Sequence, residues 1–223
     1  MRLRVKIFLM ILLSAALPAA ITAQSTAPDD EDIQSWNDFQ LTIPVHKKVE
    51  LYLTTTYRFG ENLSRFNEGR VGAGIGIKIY KAFSTAAGYN YIESRSSSGR
   101  FRTEHRYHVN GVYKFPFKKF SLSHRSQYEY RVRSSINAWR YRPSLTFEKA
   151  LPEKLLSKAK FFVTEEPFYV SATGKFSRNR FSFGIKKTVN EHLAVDIHYL
   201  RQNDGFSHPG DLNVIGTSWK FNL

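Results

Sequence analysis

From Phe120 to Glu148 apolar and polar residues alternate with a period of two. Phe120, Leu122, His124, Ser126, Tyr128, Tyr130 and Val132 fall on one face, and Ser121, Ser123, Arg125, Gln127, Glu129 and Arg131 on the other. After a polar run to Ala138 the alternation resumes. Trp139, Tyr141, Leu145 and Phe147 oppose Arg140, Arg142, Ser144, Thr146 and Glu148. A period of two is the signature of strands, and two such runs joined by a short polar link predict an antiparallel hairpin. The same pattern recurs along the chain. Phe39, Leu41 and Ile43 alternate with Asp38, Gln40 and Thr42. Val49 to Phe59 alternate with Lys48, Glu50, Tyr52, Thr54, Thr56 and Arg58. Further runs lie near 70–80, 83–93, 102–113, 159–170, 178–186, 193–202 and 213–221.

The polar face carries long Arg and Glu side chains and the apolar face is rich in aromatics. That combination predicts an all-β fold: an antiparallel up-and-down transmembrane β-barrel, apolar outside and polar inside. Links near 44–47, 81–82, 116–119 and 188–191 read as short turns. Those near 60–69, 94–100, 133–138, 171–177 and 203–210 read as longer loops, the rhythm of a membrane barrel. Phe and Tyr total 30, enough for aromatic girdles at both interfaces. The segments number about eleven. Bacterial barrels favour even counts, so ten to twelve strands are expected, with twelve slightly favoured.

The first 23 residues carry Arg2, Arg4 and Lys6, then an apolar stretch from Ile7 to Leu17 and small residues up to Ala23. They read as a secretory signal peptide, too short in apolar length for a comfortable membrane span. Residues 24–35 read as a flexible polar leader, and 36–223 as a single barrel domain. The absence of Cys excludes disulfides, thiolate metal sites and a lipidated N-terminal Cys. Losing Arg2, Arg4 and Lys6 with the signal lowers the net charge from +14 to +11. The basic residues alternate along strands and interleave with Glu, which argues against nucleic acid as a partner. It suits a barrel among lipopolysaccharide phosphates, or one with an anion-attracting lumen.

The charges concentrate on one nominal face. Arg102, Glu104, Arg106, Arg125, Glu129, Arg131, Arg140, Arg142, Glu148, Arg178 and Arg180 are expected to form a lumenal ion-pair network. In so narrow a space unpaired charge is costly, and interleaved Arg and Glu relieve it. A pore lining is the sharper alternative. His124 and Ser126 share the apolar face, as a nucleophile and base on the lipid side would. Their i, i+2 spacing puts them about 7 Å apart along the strand, and no Asn, Asp or Glu stands in phase to orient the His. No catalytic residue, metal ligand or cofactor is expected. Adjacent Glu165 and Glu166 point to opposite faces, and with Pro167 they predict a bulge. Gly72, Gly74 and Gly76 read as small residues making room for large lumenal neighbours rather than as a phosphate loop.

The runs HRSQYEYR (124–131), RYRPSLTF (140–147), TEEPFYV (164–170) and NRFSFGIKKTVNEHLAVDIHYLRQ (179–202), with the closing strand, resemble the bacterial barrel family called domain of unknown function 2490. The resemblance implies a small outer-membrane barrel of Gram-negative bacteria and no activity. Its recurrent positions fall on Arg125, Glu129, Arg131, Arg140, Arg142, Glu165, Asn179, Arg180 and Gln202. Pro143 departs from a regular strand. The expected protein is therefore a non-enzymatic outer-membrane barrel, either a narrow channel or a structural surface protein. The alternative is a lipid-modifying hydrolase of the phospholipase or lipid A deacylase type. Its expected partners are outer-membrane lipids, lipopolysaccharide and the barrel assembly machinery. The closing Trp219 and Phe221 resemble the C-terminal assembly signal, from which Leu223 departs.

Overall fold

The computed structural model describes residues 31–96, 98–207 and 209–223. Residues 1–30, which hold the expected signal peptide, lie outside them. Eleven strands follow one another: β1 (Glu31–His46), β2 (Val49–Gly60), β3 (Arg65–Tyr80), β4 (Phe83–Arg95), β5 (Phe101–Phe115), β6 (Ser121–Arg133), β7 (Ala138–Ala150), β8 (Ala159–Val170), β9 (Lys175–Thr188), β10 (Leu193–Asp204) and β11 (Asp211–Asn222). Each pairs antiparallel with the next, and β1 closes the barrel against β11.

Closure sets the strand number within the expected ten to twelve. Eleven strands, one fewer than the slightly favoured twelve, surround the lumen among the described residues. With an odd count the first and last strands run the same way, so the barrel closes through a parallel ladder from Glu31↔Asp211 to Thr42↔Asn222. Glu31 and Leu223 therefore lie at opposite rims. The first strand is also long, at 16 residues. It begins at Glu31, within the stretch 24–35 read as a leader, and its early residues have structural roles. The buried Asp32 carboxylate accepts from the backbone N–H groups of Glu61 (3.1 Å) and Asn62 (2.8 Å), and from Gln34 Nε2 (2.8 Å). These bonds hold Glu61, Asn62 and Leu63 in the left-handed region, at φ of 51°, 55° and 70°. Such a conformation costs about 1–2 kcal/mol per non-Gly residue.

The loop rhythm also differs from expectation. Strands run further than their alternation shows, so one rim has connections at 61–64, 96–100, 134–137, 171–174 and 205–210. The other has 47–48, 81–82, 116–120, 151–158 and 189–192, which includes the longest. Connection length does not separate the rims, but side-chain chemistry does. Every described lysine except Lys175 lies toward the rim that carries Leu223. The arginines occupy the middle of the lumen and the opposite rim.

The outward face is as the alternation predicts. Leu51, Leu53, Val71, Ile75, Tyr107, Val109, Tyr128, Tyr130, Phe181, Phe183, Ile185, Ile197 and Ile215 are all exposed. A band this large and continuous is not left to water in a soluble monomer; it is the surface a bilayer covers. The buried residues lie inside, and most are polar: Glu104, Arg106, Glu129, Arg140, Glu166, Gln202 and Asp204 among them.

Candidate functional site: a charge layer above a cationic vestibule

An eleven-stranded barrel is wider than its small side chains can fill, and large residues cross it. The middle is packed by three glutamates, each shared between arginines. Glu104 (β5) accepts from Arg106 Nε (2.7 Å), Arg131 Nη2 (2.6 Å) and Arg133 Nε (2.7 Å). Glu129 (β6) accepts from Arg140 Nε (2.8 Å), Arg142 Nη1 (2.7 Å) and Gln127 Nε2 (2.7 Å). Glu166 (β8) pairs with Arg125 and accepts from Arg142 Nη2 at 2.8 and 2.9 Å. Arg142 thus bridges two carboxylates, and Arg106 does so more loosely, lying 3.9 Å from Glu129. Two smaller groups extend the layer. Glu68 holds Arg58 (3.2 Å) and Arg70 (2.8 Å), and Asp204 accepts from Arg178 Nε (2.6 Å).

Aromatics fill the space that the ion pairs leave. Phe168, fully buried, stands among Arg140, Arg142, Arg178 and Arg180, whose guanidinium carbons lie 4.4–5.7 Å from its ring centre. Trp36 lies between Arg58 (3.8 Å) and Arg180 (4.6 Å). The negative ring faces offset part of the excess positive charge, and they do so best where water is excluded. Beside Trp36, Leu200, Leu212 and Val214 form a small apolar cluster inside the barrel.

The layer divides the lumen. On the Leu223 side lies a vestibule of about 1100 Å³, lined by Lys48, Lys78, Lys81, Lys114 and Lys220, with Arg70, Arg106, Arg125 and Arg142 at its floor. Asp38, Glu50 and Glu129 are the lining carboxylates, so cations outnumber anions three to one. On the other side lies a smaller pocket of about 190 Å³, lined by Trp36, Arg58, Glu68, Arg178 and Arg180 among others. The glycine run does what its spacing predicted. Tyr52 crosses the inner wall over Gly74 and Gly88, where a Cβ would meet its ring or hydroxyl. Its hydroxyl lies 3.0 Å from His108 Nε2, and Asn90 Nδ2 lies 3.2 Å from His108 Nδ1.

Of the eleven residues expected in the network, Glu104, Arg106, Arg125, Glu129, Arg131, Arg140, Arg142, Arg178 and Arg180 are in the layer. Arg180 joins through Gln202 Oε1 (2.8 Å) and the aromatic rings. Arg102 does not join: it is exposed at the rim and pairs with no carboxylate among the described residues. Glu148 lies at the opposite end and meets Lys160 (3.7 Å) and Lys186 (3.9 Å) instead. Both share the correct face but sit too far along their strands. Arg58, Glu68, Arg70, Arg133, Glu166 and Asp204 were not anticipated. The parity of Arg58 and Arg70 on the lumenal face was the available signal. For Glu166 the adjacent Glu165 and Pro167 obscured it.

On the outer wall His124 Nε2 lies 3.0 Å from Ser126 Oγ, which lies 3.2 Å from the Tyr141 hydroxyl. The expectation from strand spacing, that His124 and Ser126 are too far apart to bond, is corrected: the two side chains lean together. Glu165 faces outward on the same wall, but its carboxylate accepts from Asn179 Nδ2 at 2.6 Å, not from His124.

A closed wall, an apolar exterior and a charged interior define a porin-like β-barrel. The solved NanC porin has the same fold, with a TM-score of 0.52 at 13% identity over 86% of this chain and 99% of that one. An anion-selective porin from Comamonas acidovorans aligns less well, with a TM-score of 0.40 at 11% identity over 79% and 54% of the two chains. An uncharacterized protein of Methylorubrum extorquens is 24% identical over 200 residues, 86% of this chain and 87% of that protein. Residues 33–213 match the model of the family described as protein of unknown function DUF2490, and the chain belongs to that family.

Proposed function

We propose that this protein is a non-enzymatic outer-membrane barrel that stays closed, a structural surface protein with an anion-receiving vestibule rather than an open channel. The observation that carries the reading is the layer built on Glu104, Glu129 and Glu166. Its carboxylates are buried and each holds at least two guanidiniums. Moving such a layer aside uncouples several buried charges together, each at a cost of several kcal/mol. Export through the segment 1–23, insertion by the barrel assembly machinery, and a setting of outer-membrane lipid and lipopolysaccharide belong to the same proposal. The apolar exterior and the aromatic C-terminal strand support it. Recording refolded protein in planar bilayers tests it. The expected trace has no stepwise conductance at moderate voltage, and regular steps from the wild-type protein overturn the closed reading in favour of the narrow channel.

The 3.0 Å contact between His124 and Ser126 favours a second reading, an outer-wall hydrolase acting on acyl esters. Ser126 Oγ would attack the ester carbonyl while His124 takes its proton and passes it to the alcohol expelled as the ester bond breaks; water would then cleave the acyl-serine, releasing the acid and restoring Ser126. No described carboxylate orients His124 as a general base requires. Labelled-lipid hydrolysis that disappears in His124→Ala would establish this reading; its absence from wild-type protein removes it.

A further inference from the structure

The wall has a weak line. Between β7 and β8 the pairing runs through Tyr141↔Tyr169 and resumes at Leu145↔Glu165, with no pairs between. Counting inward from both sides places Pro143 opposite Pro167. Directly opposed residues in an antiparallel ladder exchange two N–H···O bonds at alternate positions, and a proline has no N–H to give. Both bonds are lost at once, and two carbonyls face each other without donors. Elsewhere among the described pairings the irregularities are single register shifts, at Pro44/His46, Arg58/Phe59, Lys78/Tyr80 and Phe168/Tyr169. Proline is normally confined to edges and bulges of sheets. Unsatisfied backbone at bilayer depth is among the costliest defects a membrane wall can carry.

Polar groups gather on both sides of this line. Three of the five buried polar side-chain atoms without a hydrogen-bond partner among the described residues belong here: Arg125 Nε, Arg142 Nε and Asn179 Oδ1. Arg125 and Arg142 stand just inside, next to Ser126 and Pro143 in sequence, and both line the vestibule. Asn179 stands just outside, opposite Pro167. Ser126 pairs in register with Pro143 on the other flank. Glu165 is an ionisable group on a lipid-facing surface, which marks a functional site by default.

We propose that the β7/β8 line is a lateral slot that admits the head group of a phosphorylated acyl lipid from the surrounding leaflet. The phosphate meets Arg125 and Arg142. Ammonium or hydroxyl donors on the same head group meet Glu165 and Asn179 Oδ1, and the acyl chains stay outside against Tyr128, Tyr141 and Tyr169. A water-soluble anion would enter from the vestibule and has no use for a break in the outer wall. An uncharged lipid has no use for the arginines. The slot goes beyond the closed-lumen reading and is independent of conductance.

Native mass spectrometry of the full chain, refolded in dodecyl maltoside and titrated separately with phosphatidylethanolamine, lipid A and diacylglycerol, tests it. One molecule of phosphatidylethanolamine or of lipid A is expected to remain bound per barrel, the difference between them reporting the source, and diacylglycerol none. Arg125→Gln removes a charge-assisted contact and is expected to weaken retention about tenfold or more. Pro143→Val with Pro167→Val restores both ladder bonds, so this variant is expected to resist urea better than wild type yet to retain lipid about tenfold less, the effect of one charge-assisted bond made unreachable. Equal retention by the doubly substituted barrel, equal retention of diacylglycerol, or no retained lipid overturns the slot.

Discussion

Glu129 is the sharpest point at which to test the charge layer. It is 3% exposed and serves Arg140, Arg142 and Gln127 directly, with Arg106 at 3.9 Å. Glu129→Gln keeps its volume but removes the only carboxylate that Arg140 contacts among the described residues. It also turns one acceptor into a donor that faces a guanidinium. Breaking a buried pair by removing one partner costs about 3–5 kcal/mol, because the remaining charge stays desolvated. At 1.4 kcal/mol per decade, that is about a hundred- to a few-thousand-fold in the folding equilibrium. Urea unfolding in lipid vesicles, followed by the fluorescence of Trp36, Trp139 and Trp219, measures the loss. The paired variant Glu129→Gln/Arg140→Gln removes the stranded cation as well, and is expected to recover about 1 kcal/mol or more of it. A single variant within about 0.5 kcal/mol of wild type, the range of ordinary surface changes, would show that water reaches the layer and that it seals nothing.

Three further outcomes follow from the geometry. Glu148→Gln and Arg102→Ala, at the rims, are each expected to cost less than about 1 kcal/mol in the same urea assay, because Glu148 meets only solvent-accessible lysines at 3.7 and 3.9 Å and Arg102 is exposed without a carboxylate partner among the described residues; a loss as large as that of Glu129→Gln refutes the placement of the layer. Phe168→Ala empties the space among four guanidiniums, and is expected to cost about 3–5 kcal/mol and to allow transient conductance in planar bilayers where none is expected of wild type. Asp32→Ala strands the N–H groups of Glu61 and Asn62 in a left-handed turn, and is expected to cost about 1–3 kcal/mol and to expose residues 61–64 to protease; an uncleaved loop of unchanged stability refutes the cap.

Much of the barrel was legible along the chain because alternation is a local property. Whether Arg125 and Glu129 face in, and Tyr128 and Tyr130 out, depends only on parity along β6, and the structure agrees at each. The same parity carried Arg140 and Arg142 to the lumen and put Glu165 and Glu166 on opposite faces. It failed where position along a strand mattered more than face, as for Arg102 and Glu148. It also underestimated strand length, because near the rims polar residues continue the ladder without an apolar partner to mark it. Asp32 and Gln34 were lost to the leader although Ile33 stands exposed between them, because Glu31 and Ser35 on the same outward face are polar and one apolar residue makes no alternation.

Periodicity, composition and the lack of Cys by themselves determined an all-β wall with a greasy outside and a charged inside. They did not determine the number of strands that close it, the parallel seam between β1 and β11, or the meeting of Arg125 with a carboxylate 41 residues away on β8. Those depend on tilt and register accumulated around the whole circumference, which no local window contains. The inward Trp36 and Phe168 follow the same logic. An aromatic ring among arginines becomes favourable only once closure has removed the water and brought guanidiniums from β2, β7 and β9 to its faces.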